Sequence, residues 1–154
     1  MQKDLEQFLR EIKNLGFSVK LDTNGSNPQG LQHLISEGLI DYAAMDIKNC
    51  LPKYAQTSGA PFCDLDAVIQ SAEVLMLSAI PFEFRTTVVK EYHTPEDMHL
   101  IGRWLQDSPS YYLQQFVASE DVIQSGLHAV DLETMEQMRD ILAIYIDDVA
   151  VRGV

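Results

Sequence analysis

In Leu39-Ile40-Asp41-Tyr42-Ala43-Ala44-Met45-Asp46-Ile47-Lys48, apolar residues run almost unbroken from Leu39 to Ile47 and give way at a lysine. A run of this length is a strand buried on both faces, the pattern of a parallel sheet. Side chains alternate along a strand, so Asp46 and Lys48 share one side of it. Before this run, Leu31, Leu34 and Ile35 form a helix face behind Asn27-Pro28, an N-cap followed by proline at the first helical position, and this helix ends near Gly38. Earlier still, Leu5, Phe8, Leu9, Ile12 and Leu15 mark a helix closed by Gly16, and Phe17 to Leu21 reads as the first strand.

The same alternation continues downstream. Lys48 to Phe62 reads as a loop, and Asp64 to Leu77 as a helix. Pro81 to Val89, rich in aromatic and β-branched residues, is the third strand. Thr94-Pro95 opens a helix to about Leu105, Tyr111 to Ala118 is the fourth strand, Asp131 to Ala143 a helix, and Tyr145 to Val151 the fifth strand. Strands alternating with helices of this length predict βαβ units, right-handed crossovers and an α/β parallel sheet, with function at the C-terminal strand ends. The repeated βα order favours a curved partial barrel over a flat doubly wound sheet. Phe17 to Leu21 has no preceding strand, so one of its edges is expected to be bare, a place for pairing with another chain or for self-association.

The 154 residues, 46% hydrophobic and 22% charged, suit one domain spanning 1–154 with a real core. No 18-residue apolar run is present and the charged N-terminus carries no signal-type apolar segment, so no transmembrane helix is expected and a cytoplasmic location is the expectation. The net charge of −12 argues against a nucleic-acid surface, which needs clustered Lys and Arg. Cys50 and Cys63 have no metal-type spacing and read as two reduced thiols. His33, His93, His99 and His128 show no paired metal spacing either. His93 precedes Thr94-Pro95 and could reach the strand-end rim, but helix entry explains it as well.

The strand ends carry the polar residues: Asp22-Thr23-Asn24-Gly25, Asp46-Ile47-Lys48, Arg85-Thr86-Thr87 and Gln114-Gln115. Two carboxylates, a lysine and an arginine on one rim suit a zwitterionic or carboxylate-bearing ligand, or a cation. An Asp–Lys pair that only holds the sheet together is the alternative. Lys48 as a Schiff-base lysine with Asp46 as its acid/base partner, in an aldolase-like reaction, is a second chemical reading.

Four motifs, Leu21 to Pro28, Leu39 to Lys48 with Tyr54, Glu83-Phe84-Arg85-Thr86-Thr87-Val88-Val89, and Tyr112-Leu113-Gln114-Gln115-Phe116, resemble the radical S-adenosylmethionine (radical-SAM) activases of glycyl radical enzymes. The resemblance is to the activating proteins of anaerobic ribonucleoside-triphosphate reductases, with pyruvate formate-lyase activating enzymes as relatives, and runs from about Leu5 to Val151-Arg152-Gly153. It implies a TIM-like partial (β/α)₆ barrel that binds S-adenosylmethionine and a [4Fe–4S] cluster and generates a radical on a glycine of a partner enzyme. By the same resemblance Asp46 and Lys48 lie near the methionyl carboxylate, and Asp22, Thr23 and Asn24 form the first rim turn. Asp22 and Thr23, with Asp46 and the backbone of Ala44, match a monovalent-cation site, and Arg85 and Gln114 sit on strands facing the cofactor. The family's Cys-x-x-x-Cys-x-x-Cys loop and Gly-Gly-Glu-Pro segment are not in this sequence, and Cys50 and Cys63 cannot replace three closely spaced thiolates. The chain is therefore expected to be a barrel without its first two strands, to carry no catalytic residue of its own, and to perform no radical chemistry alone.

Overall fold

The computed structural model describes residues 4–59, 62–118 and 124–153; Met1 to Lys3 of the charged N-terminus and Pro61 of the predicted loop lie outside them. The elements run α1 (Leu5–Asn14), β1 (Lys20–Thr23), α2 (Pro28–Ser36), β2 (Tyr42–Asp46), α3 (Tyr54–Ser58), α4 (Leu65–Met76), β3 (Phe82–Val88), α5 (Pro95–Trp104), β4 (Ser110–Gln115), α6 (Leu132–Leu142) and β5 (Asp148–Arg152). The strands form one sheet in the order β1-β2-β3-β4-β5, so every strand lies beside its neighbours in sequence. The α/β parallel sheet is as the alternation predicts. The chain divides into two compact units, Met1–Asp46 with Asp64–Glu83, and Ile47–Cys63 with Phe84–Val154.

In the first unit, β1 pairs parallel with β2 from Lys20↔Tyr42 to Thr23↔Met45, and the Ala43 N–H donates to the Pro81 carbonyl at 3.2 Å. The helix starts are chemically specified. Asn27 Oδ1 accepts from the Gly30 N–H at 2.9 Å, and Asp64 Oδ1 from the Ala67 N–H at 3.0 Å. Helices α2 and α4 pack together, and Leu31, Leu34, Ala43, Met45, Ala72 and Leu75 are buried.

In the second unit, β3 pairs with β4 from Phe84↔Tyr111 to Val88↔Gln115, and β4 with β5 from Ser110↔Asp148 to Gln114↔Arg152. Helix α5 packs on α6 around buried Met98, Ile101, Met135, Met138 and Leu142. A buried polar cluster ties the segment after β2 to the start of α5. Asp97 accepts from Lys53 Nζ at 2.7 Å, from the Thr94 N–H at 2.9 Å and from the Cys50 thiol at 3.4 Å. Burial opposes the charge on Asp97, but Lys53, the Thr94 amide and the Cys50 thiol outweigh it and hold this carboxyl below its usual 3.8.

Several element boundaries differ from the sequence reading, among them that of β2, which spans Tyr42–Asp46 and not Leu39 to Ile47. The first strand begins at Lys20, not Phe17, because the Asp41 carboxylate takes the Val19 N–H at 2.7 Å and Phe17 is exposed. The edge strand is thus four residues long and carries Lys20 and Asp22, which blunts it against pairing. The predicted loop 48–62 contains a 3₁₀ turn, Leu51–Lys53, opened by Pro52, and the short helix α3, closed by Gly59 with φ +64°. Strand β4 ends at Gln115. Strand β5 starts at Asp148, because Tyr145 is held in a turn by its carbonyl's bond from the Asp107 N–H and by its ring against Gly102.

Gly25 has φ +75°, and a Cβ there would collide with Met45 Cε, whereas Gly16 has φ +85° with open space around it. Gly25→Ala should cost about 2–4 kcal/mol in urea unfolding and Gly16→Ala about 1 kcal/mol; equal costs would mean that the Met45 contact is slack. Asp97 stabilises the fold above its unfolded value of 3.8, and that contribution is lost as pH falls through its lower folded value. Asp97→Asn should therefore lower stability by about 1–3 kcal/mol at pH 7 and flatten the fall below pH 3.8, both read from urea midpoints measured between pH 2 and 7.

Candidate functional site

Alternation sorts each strand into two faces. In the first unit Leu21, Thr23, Ala43 and Met45 take one parity; in the second Phe84, Thr86, Val88, Tyr111, Leu113, Gln115, Val149 and Val151 do; each set is mostly apolar, and most of the polar residues take the other. In the first unit the polar parity is Lys20 and Asp22 on β1, Tyr42 and Asp46 on β2, and Glu83 on β3. In the second it is Arg85 and Thr87 on β3, Tyr112 and Gln114 on β4, and Asp148 and Arg152 on β5. Register confirms this within each pair: Asp22 lies opposite Ala44, Arg85 opposite Tyr112, and Thr87 opposite Gln114.

Of the sequence-predicted residues, Asp22, Thr23, Asn24 and Asp46 therefore fall in the first unit, at the C-terminal ends of β1 and β2. The turn after β1 is rigid. Thr23 Oγ1 accepts the Gly25 N–H and Asn24 Oδ1 the Ser26 N–H, each at 3.1 Å, and Ser71 Oγ donates to the Gly25 carbonyl at 2.7 Å. Thr23 and Asn24 thus spend one acceptor each on shaping the turn, while Asp22 stands on the same face as Asp46.

Lys48, Arg85 and Gln114 fall in the second unit, each partly exposed. The backbone beneath Lys48 is pinned at successive groups. The Ile47 N–H donates to the Arg85 carbonyl at 2.8 Å, Thr86 Oγ1 donates to the Ile47 carbonyl at 2.6 Å, and His93 Nε2 lies 2.9 Å from the Lys48 carbonyl. Asn49, fully buried, donates to Thr57 Oγ1 and the Tyr92 carbonyl and accepts the Cys50 N–H at 2.7 Å. Asp22, Asp46, Lys48 and Arg85 each already engage a neighbouring group.

Two clusters on the polar faces escaped the sequence reading. Glu83, 3% exposed, holds Lys20 Nζ at 3.2 Å and the Tyr42 hydroxyl at 3.0 Å, near the N-terminal ends of the strands. Arg152 lies over the Tyr112 ring at 3.3 Å, and the Tyr112 hydroxyl donates to Asp148 at 3.2 Å. A glutamate between Phe82 and Phe84 at the start of β3 was the available signal for the first cluster. The second needs β4 and β5 in register and has no signal along the chain.

The thiols do not fit an iron–sulfur cluster. Burial, reinforced by Asp97, pushes the Cys50 thiol up and away from the thiolate that ligation requires. Cys63 is the other free cysteine, and no group of three or more metal-ligating side chains occurs among the described residues. Nor, among the same residues, is any helix long and apolar enough to cross a membrane.

No family model matches the chain. Its full length aligns at 29% identity with a Methanocaldococcus jannaschii protein provisionally assigned as a glycyl-radical enzyme activating enzyme, and covers 67% of that protein. Among solved structures, the fold matches a domain of a pyruvate-formate lyase-activating enzyme from Bacteroides vulgatus at TM-score 0.70 and 13% identity, over 97% of this chain and 89% of that one. It also matches a radical SAM methyltransferase from Sphaerobacter thermophilus at TM-score 0.66 and 15% identity, over 90% of this chain and 43% of that one. The sequence match agrees with the four motifs and the structural matches with the parallel-sheet fold: this chain is similar to a provisionally assigned glycyl-radical enzyme activating enzyme and shares its fold with a domain of a pyruvate-formate lyase-activating enzyme.

Proposed function

We propose that the chain is an S-adenosylmethionine-binding portion of a glycyl-radical activase. The observation that carries this reading lies in the second unit: Arg85 and Gln114 share the polar parity of β3 and β4, opposite buried Phe84, Val88, Tyr111 and Leu113, with Lys48 two residues past the end of β2. The donor set suits the zwitterionic methionyl group. Lys48, Arg85 and the Gln114 amide, in the second unit, offer cationic and hydrogen-bond donors to its carboxylate. In the first unit, taken by itself, Asp22 and Asp46 share one face and, with Thr23 and Asn24 in the turn beside them, offer oxygen acceptors that suit a monovalent cation. Bound S-adenosylmethionine supplies a sulfonium that can be cleaved reductively, and the chain's own residues bind and orient it. The cluster that would supply the electron has no ligand set here, so no radical step is assigned to this chain. A glycyl radical enzyme is the partner that the relatives' names suggest.

Two other readings have less support. A Schiff-base role for Lys48 would need a depressed ammonium beside an open carbonyl site, and nothing around Lys48 singles out such a site. Pairing through the β1 edge is disfavoured by its length and by Lys20 and Asp22.

Isothermal titration of the wild-type chain with S-adenosylmethionine should show one site, and Lys48→Met should weaken it at least about tenfold, the loss of one charged hydrogen bond. After anaerobic incubation with iron, sulfide and dithionite, the same chain should develop no 400-nm cluster absorbance and release no 5′-deoxyadenosine. Equal affinity of Lys48→Met and wild type, or turnover by this chain alone, would overturn the reading.

A further inference from the structure

His93 has an occupation that helix entry does not explain. The N-cap of α5 is Thr94, and its N–H and hydroxyl are both taken by the Asp97 carboxylate, at 2.9 and 3.2 Å. The His93 ring contributes nothing to that cap. It is instead buried, 4% exposed, with both nitrogens committed to backbone. Nδ1 takes the Val89 N–H at 3.1 Å, just past the end of β3. Nδ1 also lies 3.2 Å from the Val89 carbonyl, but Nε2 faces the Lys48 carbonyl, an acceptor, at 2.9 Å, so Nε2 carries a proton and donates it there. Burial holds His93 below its ordinary value, in keeping with the neutral ring.

The imidazole therefore spans two backbone segments: the exit of β3 at Val89 and the residue two past the end of β2, Lys48. Ile47 is already fixed through both of its backbone groups, to Arg85 and to Thr86, and Asn49 through its side chain to Tyr92 and Thr57. His93 adds a tie at the Lys48 carbonyl, between the bonded groups of Ile47 and Asn49. Loosening that carbonyl frees ψ of Lys48 and φ of Asn49, so the backbone from which the four-carbon stem springs is held less firmly.

We infer that His93 is a positioning residue: its Nε2–H bond to the Lys48 carbonyl sets the direction of the Lys48 side chain toward a carboxylate-bearing ligand. The inference rests on the reading of Lys48 as a carboxylate holder. It adds a residue that touches no ligand.

The test compares His93→Gln, whose amide N–H can reach the Lys48 carbonyl, with His93→Ala, which donates nothing. One arm needs no ligand and follows amide hydrogen exchange across residues 47–50. His93→Ala should speed exchange there about tenfold, and His93→Gln should stay within about threefold of wild type. The other arm titrates S-adenosylmethionine, with melting temperatures alongside. His93→Ala should lose about tenfold in affinity and His93→Gln should recover most of it, even where the two variants melt at the same temperature. Exchange in His93→Ala that matches wild type overturns the pin. Faster exchange with unchanged affinity overturns the positioning role. A wild-type chain that binds no S-adenosylmethionine overturns the Lys48 reading, and the exchange arm still reports separately on the pin.

Discussion

The arrangement depends on one constraint, the two-residue alternation along parallel strands. Because successive side chains point to opposite faces, one parity can be given to apolar packing while the other keeps polar groups. Strand β3 states it most compactly: Phe82, Phe84, Thr86 and Val88 are buried on one parity, while Glu83, Arg85 and Thr87 occupy the other. A one-residue slip would exchange the two sets, burying Arg85 and exposing Phe84. The register that builds the core therefore also places the polar groups.

The polar parity has to be satisfied where it is buried and reachable where it is used. Near the N-terminal ends this is done internally, with Glu83 taking Lys20 and Tyr42. Toward the C-terminal ends the backbone is immobilised instead. Ser71 and Met45 hold the turn at Gly25, and Thr86, His93 and Asn49 hold the segment from Ile47 to Cys50. A polar side chain on a fixed backbone loses less entropy on binding than one on a loose loop, so this stiffness suits ligand recognition.

Much of the fold could be read along the chain, because helix caps and apolar runs are local signals. Asn27-Pro28, Asp64, Thr94-Pro95 and Asp131 each open a helix where the sequence places one. The boundaries that shifted were decided by contacts distant in sequence. The Asp41 carboxylate claims the Val19 amide across 22 residues, and Tyr145 stacks edge-on to His99 from 46 residues away. The site divides in the same way. Asp22, Asp46 and Lys48 were readable as polar residues at or just past strand ends, and Arg85 as a residue of β3. The Glu83 trio, the Tyr112–Arg152 stack and the tie from His93 to Lys48 arise only when separate strands lie in register. His93 was noticed, but its position before a helix cap concealed its bond to a carbonyl 45 residues earlier.

The central claim is that the C-terminal ends of these strands receive S-adenosylmethionine. Amide chemical-shift mapping of the 17.4 kDa chain during titration with that ligand tests it most directly. The account predicts saturable shifts concentrated in the second unit at residues 47–49, 85–87 and 112–115. The absence of shifts at saturating ligand would contradict it, as would shifts confined to the groove of about 440 Å³ between α2 and α4, lined by Gln32, Ile35, Gln70 and Leu77.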